Sequence, residues 1–305
     1  MLNALALGGM PQSDAKKSAQ TMKTAAYLTL ACSSLILATQ TQAQTTITGW
    51  TFDNDGLGAN SSPAPSTGSG TATAVGMSNT YNNTNSVSNP DIISTVAGSS
   101  TSSTPDTWRV RAVGTGANQG NGWSAQAPIG TQGAEFAVST VGFDNIHLSF
   151  DIAPTTKGTA YMQVQYTLDD TASSITWANA ELSYSANSSL VLKNTTAASG
   201  GNGLVVGYYL NMVGAAQFYN DVTVDLSSIA GVNNDANFAF EIVNAAEGTA
   251  DLGANGTEVG NSGNWSIDNP VVSGVSTVPE PSSLALTGSG LALLGTVFRF
   301  KNRKA

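Results

Sequence analysis

The sequence predicts an all-β protein, an antiparallel β-sandwich of jelly-roll-like layout, with an N-terminal signal helix and a C-terminal transmembrane helix attached. Three observations carry that expectation. Apolar and polar residues alternate over several short runs of the middle of the chain. Clusters of Gly, Asn and Asp punctuate those runs. Long stretches of apolar and small uncharged residues occur only near the two ends. A period of two means one buried and one wet face, whereas a continuous apolar run suits a helix in lipid.

Near the start, Met22-Lys23 precedes an apolar run from Thr24 to Ala38, and Thr39 to Gln44 follows with small and polar residues. A positive head, an apolar centre and small residues before a cut form a secretory signal over residues 22–43, with cleavage expected after Ala43 by signal peptidase. Residues 1–21 fit that layout poorly and read as an upstream start or as an extended head carrying Lys16 and Lys17. Cys32 raises a lipoprotein alternative, but Thr29 stands where a lipobox prefers leucine and apolar residues continue past the cysteine. Cys32 is the single cysteine of the chain. The body after the cut therefore has no disulfide and must rely on its core.

That body spans residues 44–277. Residues 56–107 are dominated by Gly, Ser, Thr, Asn, Ala and Pro and are expected as a low-complexity loop, with Ser61 to Gly70 as its most linker-like part. Strand patterns strengthen from Trp108 onward. Ile146, Leu148, Phe150 and Ile152 share one parity, as do Met162, Val164, Tyr166 and Leu168. Val222, Val224 and Leu226 do the same, then Phe238, Phe240 and Ile242. Shorter candidates are Thr46–Phe52, Trp108–Val113, Ala134–Val138, Leu190–Lys193, Leu204–Leu210 and Trp265–Val272. About nine to eleven such segments over this length point to two packed antiparallel sheets.

Charge restricts the partners. The body from Gln44 to Val278 carries four cations, Arg109, Arg111, Lys157 and Lys193, against eighteen carboxylates. The whole-chain net charge of −9 understates this, because most basic residues sit in the end segments. An acidic surface repels a phosphate backbone, so no nucleic-acid partner is expected.

Little in the body suggests catalysis, and no enzyme is expected. Its one histidine, His147, lies on the polar parity of a strand beside Ser149 and Asp151. There is no Gly-x-Ser-x-Gly elbow, and without cysteine no thiol nucleophile can form. Asp169-Asp170 follow Leu168 and read as turn residues. For glycan binding, Trp123 beside Gly120-Asn121-Gly122 is the candidate exposed ring, and the neighbours Tyr208-Tyr209 point to opposite faces of a strand.

The body also resembles, more loosely, the jelly-roll modules of bacterial surface proteins, akin to MAM-type and carbohydrate-binding sandwiches. The resemblance rests on Gly49-Trp50-Thr51-Phe52-Asp53, on Phe143 to Asp151, on Val164 to Asp170, and on Asn264-Trp265-Ser266-Ile267-Asp268-Asn269-Pro270-Val271-Val272. It implies a structural calcium ion where the first and last strands meet, with Asp53, Asp55 and Asp268 as candidate ligands. Hard cations favour such carboxylate oxygens. Asp53-Asn54-Asp55-Gly56 does not continue as an EF-hand, since Ala64 stands at the twelfth place. Pro270 replaces an apolar residue after Asp-Asn and removes a ladder donor, so an edge or a bulge is expected there.

The last stretch is the most specific. Val278-Pro279-Glu280-Pro281-Ser282-Ser283 leads into an apolar run from Leu284 to Phe298 broken only by small uncharged residues, with a transmembrane helix expected over 284–300, and the basic tail 299–305 closes the chain. Prolines keep the motif extended, which suits a protease. A bilayer core takes roughly 17–25 apolar residues, so the run is at the short end of a membrane span. The cations behind it place the body on the outer side. An anchor that is never cut is the plain alternative. The three parts and their order resemble the PEP-CTERM signal of Gram-negative bacteria. That resemblance implies recognition by an exosortase through Val278, Pro279, Glu280 and Pro281. It further implies a transient stay at the inner membrane, then release to the outer envelope or an extracellular matrix. The expected function is an exported envelope or exopolysaccharide- and biofilm-associated protein with a structural or adhesive role. The alternative is a lectin-like carbohydrate-binding module that also holds calcium.

Overall fold

Alternating parity becomes strand wherever the apolar half of the pattern finds a partner sheet. The computed structural model describes residues 43–53, 55–76, 91–94, 106–110, 123–125, 127–184, 209–214, 216–260 and 263–278. The chain divides into two units, Met1–Ala43 and Gln44–Ala305, and the strands belong to the second. They are β1 (Thr45–Gly49), β2 (Gly58–Ala59), β3 (Thr71–Val75), β4 (Asp91–Ser94), β5 (Asp106–Val110), β6 (Gly133–Ala137) and β7 (Phe143–Pro154). Then follow β8 (Tyr161–Thr167), β9 (Ala178–Asn179), β10 (Leu182–Ser183), β11 (Leu210–Asn211), β12 (Tyr219–Asp225), β13 (Ala239–Asn244) and β14 (Trp265–Ser276).

Two antiparallel sheets result. The first has the order β10-β12-β7-β14-β5-β4-β2, with β1 added alongside β14. The second has the order β11-β8-β13-β6-β3, with β9 alongside β8. The path from β5 to β8 changes sheet at every step, and so does the path from β12 to β14. Their inward residues therefore meet in one layer. Ile146, Leu148, Phe150 and Ile152 of β7 face Val164, Phe240 and Ile242 of the other sheet within a single buried cluster.

The spine is β14. Its first half pairs with β5, its second half with β1, and β7 runs along its other side. The register with β7 shifts between Asp268 and Val271, where Asn269 takes a positive φ of 51°. Pro270, which has no N–H, sits in this bulge, as its sequence position anticipates. Its carbonyl accepts the Trp50 N–H at 3.0 Å.

Two expectations need correction. Residues 56–107 are not simply a loop, because β2, β3, β4 and the start of β5 fall within them. The sandwich is also not flanked, in what is described, by helices. Apart from one 3₁₀ turn, Gly248–Ala250, the described residues hold no helix, and none is long and apolar enough to cross a membrane. A period of two buries alternate side chains only and never gives the all-round apolar surface that lipid demands. Among the described residues the expected transmembrane helix, and the inner-membrane anchor built on it, are not found. Residues 22–42 and 284–300, on which the two helices were expected, lie outside the described residues, as does Leu190–Lys193.

The core is held by aromatic contacts across the sheets. Phe136 of β6 lies edge-on to Trp50 at 5.0 Å and to Trp108 at 6.0 Å, and stacks on Phe240 at 5.1 Å. Buried indoles need an acceptor for N–H. Trp50 donates to the Pro63 carbonyl and Trp108 to the Asn60 carbonyl, each at 3.0 Å. The polar segment around Pro63 is thus pinned to the core. Trp265 donates in the same way to the Thr159 carbonyl at 2.8 Å. Close beside it, the buried Asp251 carboxylate accepts the Thr159 hydroxyl. Burial pushes the Asp251 carboxyl up to about 7, against the opposing pull of that hydrogen bond.

Two outcomes follow. Phe136→Ala removes the ring shared by three aromatic neighbours and is expected to cost about 3–5 kcal/mol in chemical denaturation. Asp251 binds its proton more tightly folded than unfolded, so its contribution is full at low pH and is lost as pH rises from about 4 through about 7. Stability measured across that window should fall by on the order of 4 kcal/mol more in the parent than in Asp251→Asn.

Candidate functional site

The outward face of the first sheet carries a row of buried acids. Asp91 on β4 is paired with Arg109 on β5, whose Nε donates to Oδ1 at 2.7 Å and whose Nη2 binds Oδ2. Asp151 on β7 accepts the Asp221 backbone N–H at 2.8 Å and the Asn269 side-chain amide at 3.0 Å. Asp268 on β14 is the register partner of Asp151, and its Oδ1 accepts the N–H of Asn269 at 2.8 Å. The bulge at Asn269 and the one in β12 before Val222 supply these donors. Turned backbone here solvates carboxylates that strand pairing has buried.

This placement separates the predicted calcium ligands. Asp268 is fully buried in the middle of the first sheet. Asp53 is exposed and accepts the Asp106 N–H at 3.2 Å. Asp55 is partly buried, one of its oxygens has no partner, and burial raises its carboxyl. Among the described residues no three His, Cys, Asp or Glu side chains gather as a metal-holding group.

The ring expected on the surface is not there. Trp123 is 2% exposed and packs on Trp265 with centroids 4.2 Å apart. The Asn244 Oδ1 accepts the Thr131 and Gln132 N–H groups, each at 3.0 Å, and Ser124 N–H in turn donates to the Gln132 side chain. Tyr209 is buried as well, edge-on to Tyr161 at 5.8 Å, while Tyr208 lies outside the described residues. His147 is half-exposed with Nδ1 3.7 Å from an Asp225 oxygen. Asp169 does mark a turn, accepting the Thr171 N–H at 3.1 Å and its hydroxyl at 2.6 Å.

The second sheet contains a pair that strand periodicity alone does not single out. Glu241 on β13 stands directly opposite Glu135 on β6. Burial, and then the charge of Glu135, push the Glu241 carboxyl up to about 8. Burial, and then Asp170, raise Glu135 too. A parity count over Ala134–Val138 and Phe238–Ile242 puts both glutamates on the non-core face. Their direct opposition needs the register of the two strands, which no local pattern states.

The first and last described residues of the body meet along the first sheet. Thr45 pairs with Gly274, and the Gln44 side chain donates to the Asn145 carbonyl at 3.0 Å and to the Ser273 hydroxyl at 3.2 Å. Ala43, the residue before the expected cut, is thus one residue from an ordered strand contact. At the other end of the body, the Thr277 N–H donates to the Gly142 carbonyl at 2.9 Å, and Val278 beyond it is 67% exposed. Pro279, Glu280 and Pro281 lie outside the described residues.

No curated protein and no solved structure matches the chain. Residues 277–304 match the family model of the PEP-CTERM protein-sorting motif. The chain therefore carries the sorting motif expected from Val278-Pro279-Glu280-Pro281, and it is an exported, exosortase-sorted protein of the cell envelope.

Proposed function

We infer that the β-sandwich exported under this motif works as a structural or adhesive component of the envelope or of the exopolysaccharide matrix around it. The observation that supports this reading is the way the sandwich is closed. Its first strand, β1, and its last, β14, are hydrogen-bonded to each other, and the sorting motif starts within two residues of β14. Val278, where the Val-Pro-Glu-Pro motif begins, is exposed just beyond this last strand. Signal peptidase, acting after Ala43, is the second processing partner in this reading. The matrix partner is a glycan or another envelope component.

The acidic surface favours a soluble, spaced component over one that collapses onto itself. The lectin-like reading loses its named ring, since stacking on Trp123 needs that indole out of the core.

Intact mass of the protein recovered from its producing cells is expected to give a chain that begins at Gln44 and ends near Pro279–Pro281. Replacing Glu280 by Ala should leave the C-terminal segment attached. Recovery of parent protein still carrying Leu291 to Arg299 overturns the processing. Deleting the protein should lower the shear needed to detach the matrix, and an unchanged threshold removes the structural role. Retention of the full-length protein on the producer's own polysaccharide, unaltered by Trp123→Phe, would identify the glycan as its partner through a surface other than that ring.

A further inference from the structure

The second sheet turns Phe136, Val164, Phe240 and Ile242 toward the core, so the intervening residues face the other way. Across that other face, Thr73, Glu135, Glu241, Gln165 and Asn179 are successive register partners. Residues directly opposite one another have Cβ atoms about 4.5–5.5 Å apart, and like charges so placed are destabilising. Glu241 is nonetheless 1% exposed, and its Oε1 has no hydrogen-bond partner.

A second orphaned oxygen lies nearby. Gln163, on β8 two residues before the partner of Glu241, is 0% exposed. Its Nε2 donates to the Asn244 carbonyl at 3.2 Å, which assigns the remaining amide atom as the acceptor Oε1, and that atom has no partner. Diagonal neighbours of this kind lie about 7–8 Å apart at Cβ, within reach of two long side chains. The face therefore holds two unpartnered acceptor oxygens and, beside them, the Glu135 carboxyl. Asp170 adds negative charge toward Glu135, and Tyr161 lies on the same face two residues before Gln163. The remaining positions around the pair, Ala239, Val243, Thr73 and Gln165, carry no charge.

We propose that Glu135, Glu241 and the Gln163 amide oxygen form a binding site for a hard divalent cation of the calcium class. Oxygen acceptors without donors are what such an ion takes. Two facing carboxylates supply the charge that neutralises it. A water could satisfy the two orphaned oxygens, but it would leave like charges opposed. A sugar needs an open surface, and Glu241 and Gln163 offer almost none. Without the ion, a proton must do the neutralising, in keeping with the Glu241 carboxyl pushed up to about 8. The ion then displaces that proton.

The test uses the full-length protein stripped with chelator and titrated with calcium chloride alone at pH 7. Calorimetry in two buffers of different ionisation heat should show one site and the release of about one proton per ion. The melting temperature should rise with the logarithm of calcium, by about 5–10 °C at a hundredfold excess over Kd. Glu241→Gln and Glu135→Gln should each abolish the heat and the shift, whereas Asp268→Asn keeps both. Without calcium, Glu241→Gln should melt no lower than the parent at pH 7, because the glutamate it replaces is already largely neutral there. Between about pH 4.5 and 8 the parent should lose stability that this variant keeps, since a raised carboxyl favours folding only while protonated. Absence of calcium heat and of any melting shift overturns the proposal and leaves a protonated pair. A shift that survives Glu241→Gln but vanishes in Asp268→Asn also overturns it, and moves the ion to the other sheet.

Discussion

The packing of Phe136 against Trp50, Trp108 and Phe240 is the contact on which the rest of the sandwich depends. Trp50 and Trp108 enter from the first sheet and the two phenylalanines from the second, so the cluster sets the separation of the layers. It also decides what lies outside them. The Trp50 and Trp108 indoles place their N–H groups on carbonyls of the chain around Asn60 and Pro63. The core thereby organises a polar, proline-rich segment that has little apolar surface of its own. Hydrogen bonds from Ser66 and Thr67 N–H to the Gly49 carbonyl complete the attachment.

The same strand periodicity that builds the core carries acids into buried positions on the opposite faces, and the two sheets resolve this differently. In the first sheet, Arg109 covers Asp91, and bulged backbone at Asp221 and Asn269 donates to Asp151 and Asp268. A bulge breaks the ladder locally and frees N–H groups that a regular strand would have spent on its neighbour. In the second sheet, β6, β13 and β8 run in unbroken register through Glu135, Glu241 and Gln165. Regular pairing leaves no spare backbone donor there. The contrast between a bulged and a regular ladder accounts for which buried carboxylates find backbone donors and which do not.

Much of the fold was legible in the sequence. The strands around Phe150, Val164, Val224 and Phe240 announce themselves by period, and Pro270 marks its bulge. The segment Thr71-Ala72-Thr73-Ala74-Val75 also alternates, but alanine on the buried parity is too small to stand out from a Ser/Thr/Ala-rich background. It becomes β3 because Phe136 and its neighbours in β6 need an edge partner. Asp91-Ile92-Ile93 is too short to be counted before its pairing with Trp108 and Arg109 is known. Sites were less legible than strands. Trp123 reads as exposed from its glycine-rich surroundings, yet Trp265 offers it a buried face. The calcium ligands implied by the jelly-roll resemblance do not converge, because Asp268 is committed to the Asp151 side of its sheet. The sorting motif was legible because an exosortase reads a contiguous peptide, and contiguity is what a sequence displays directly.

The pairing of Thr45 with Gly274 places the entrance and the exit of the body side by side. A domain so closed behaves as a cassette. Its termini can be joined by a short connection and new ones opened at an exposed turn such as that around Val141–Gly142, with every strand neighbour kept. It can equally be inserted into a loop of another exported protein, since the host chain would need to part by little more than one strand spacing.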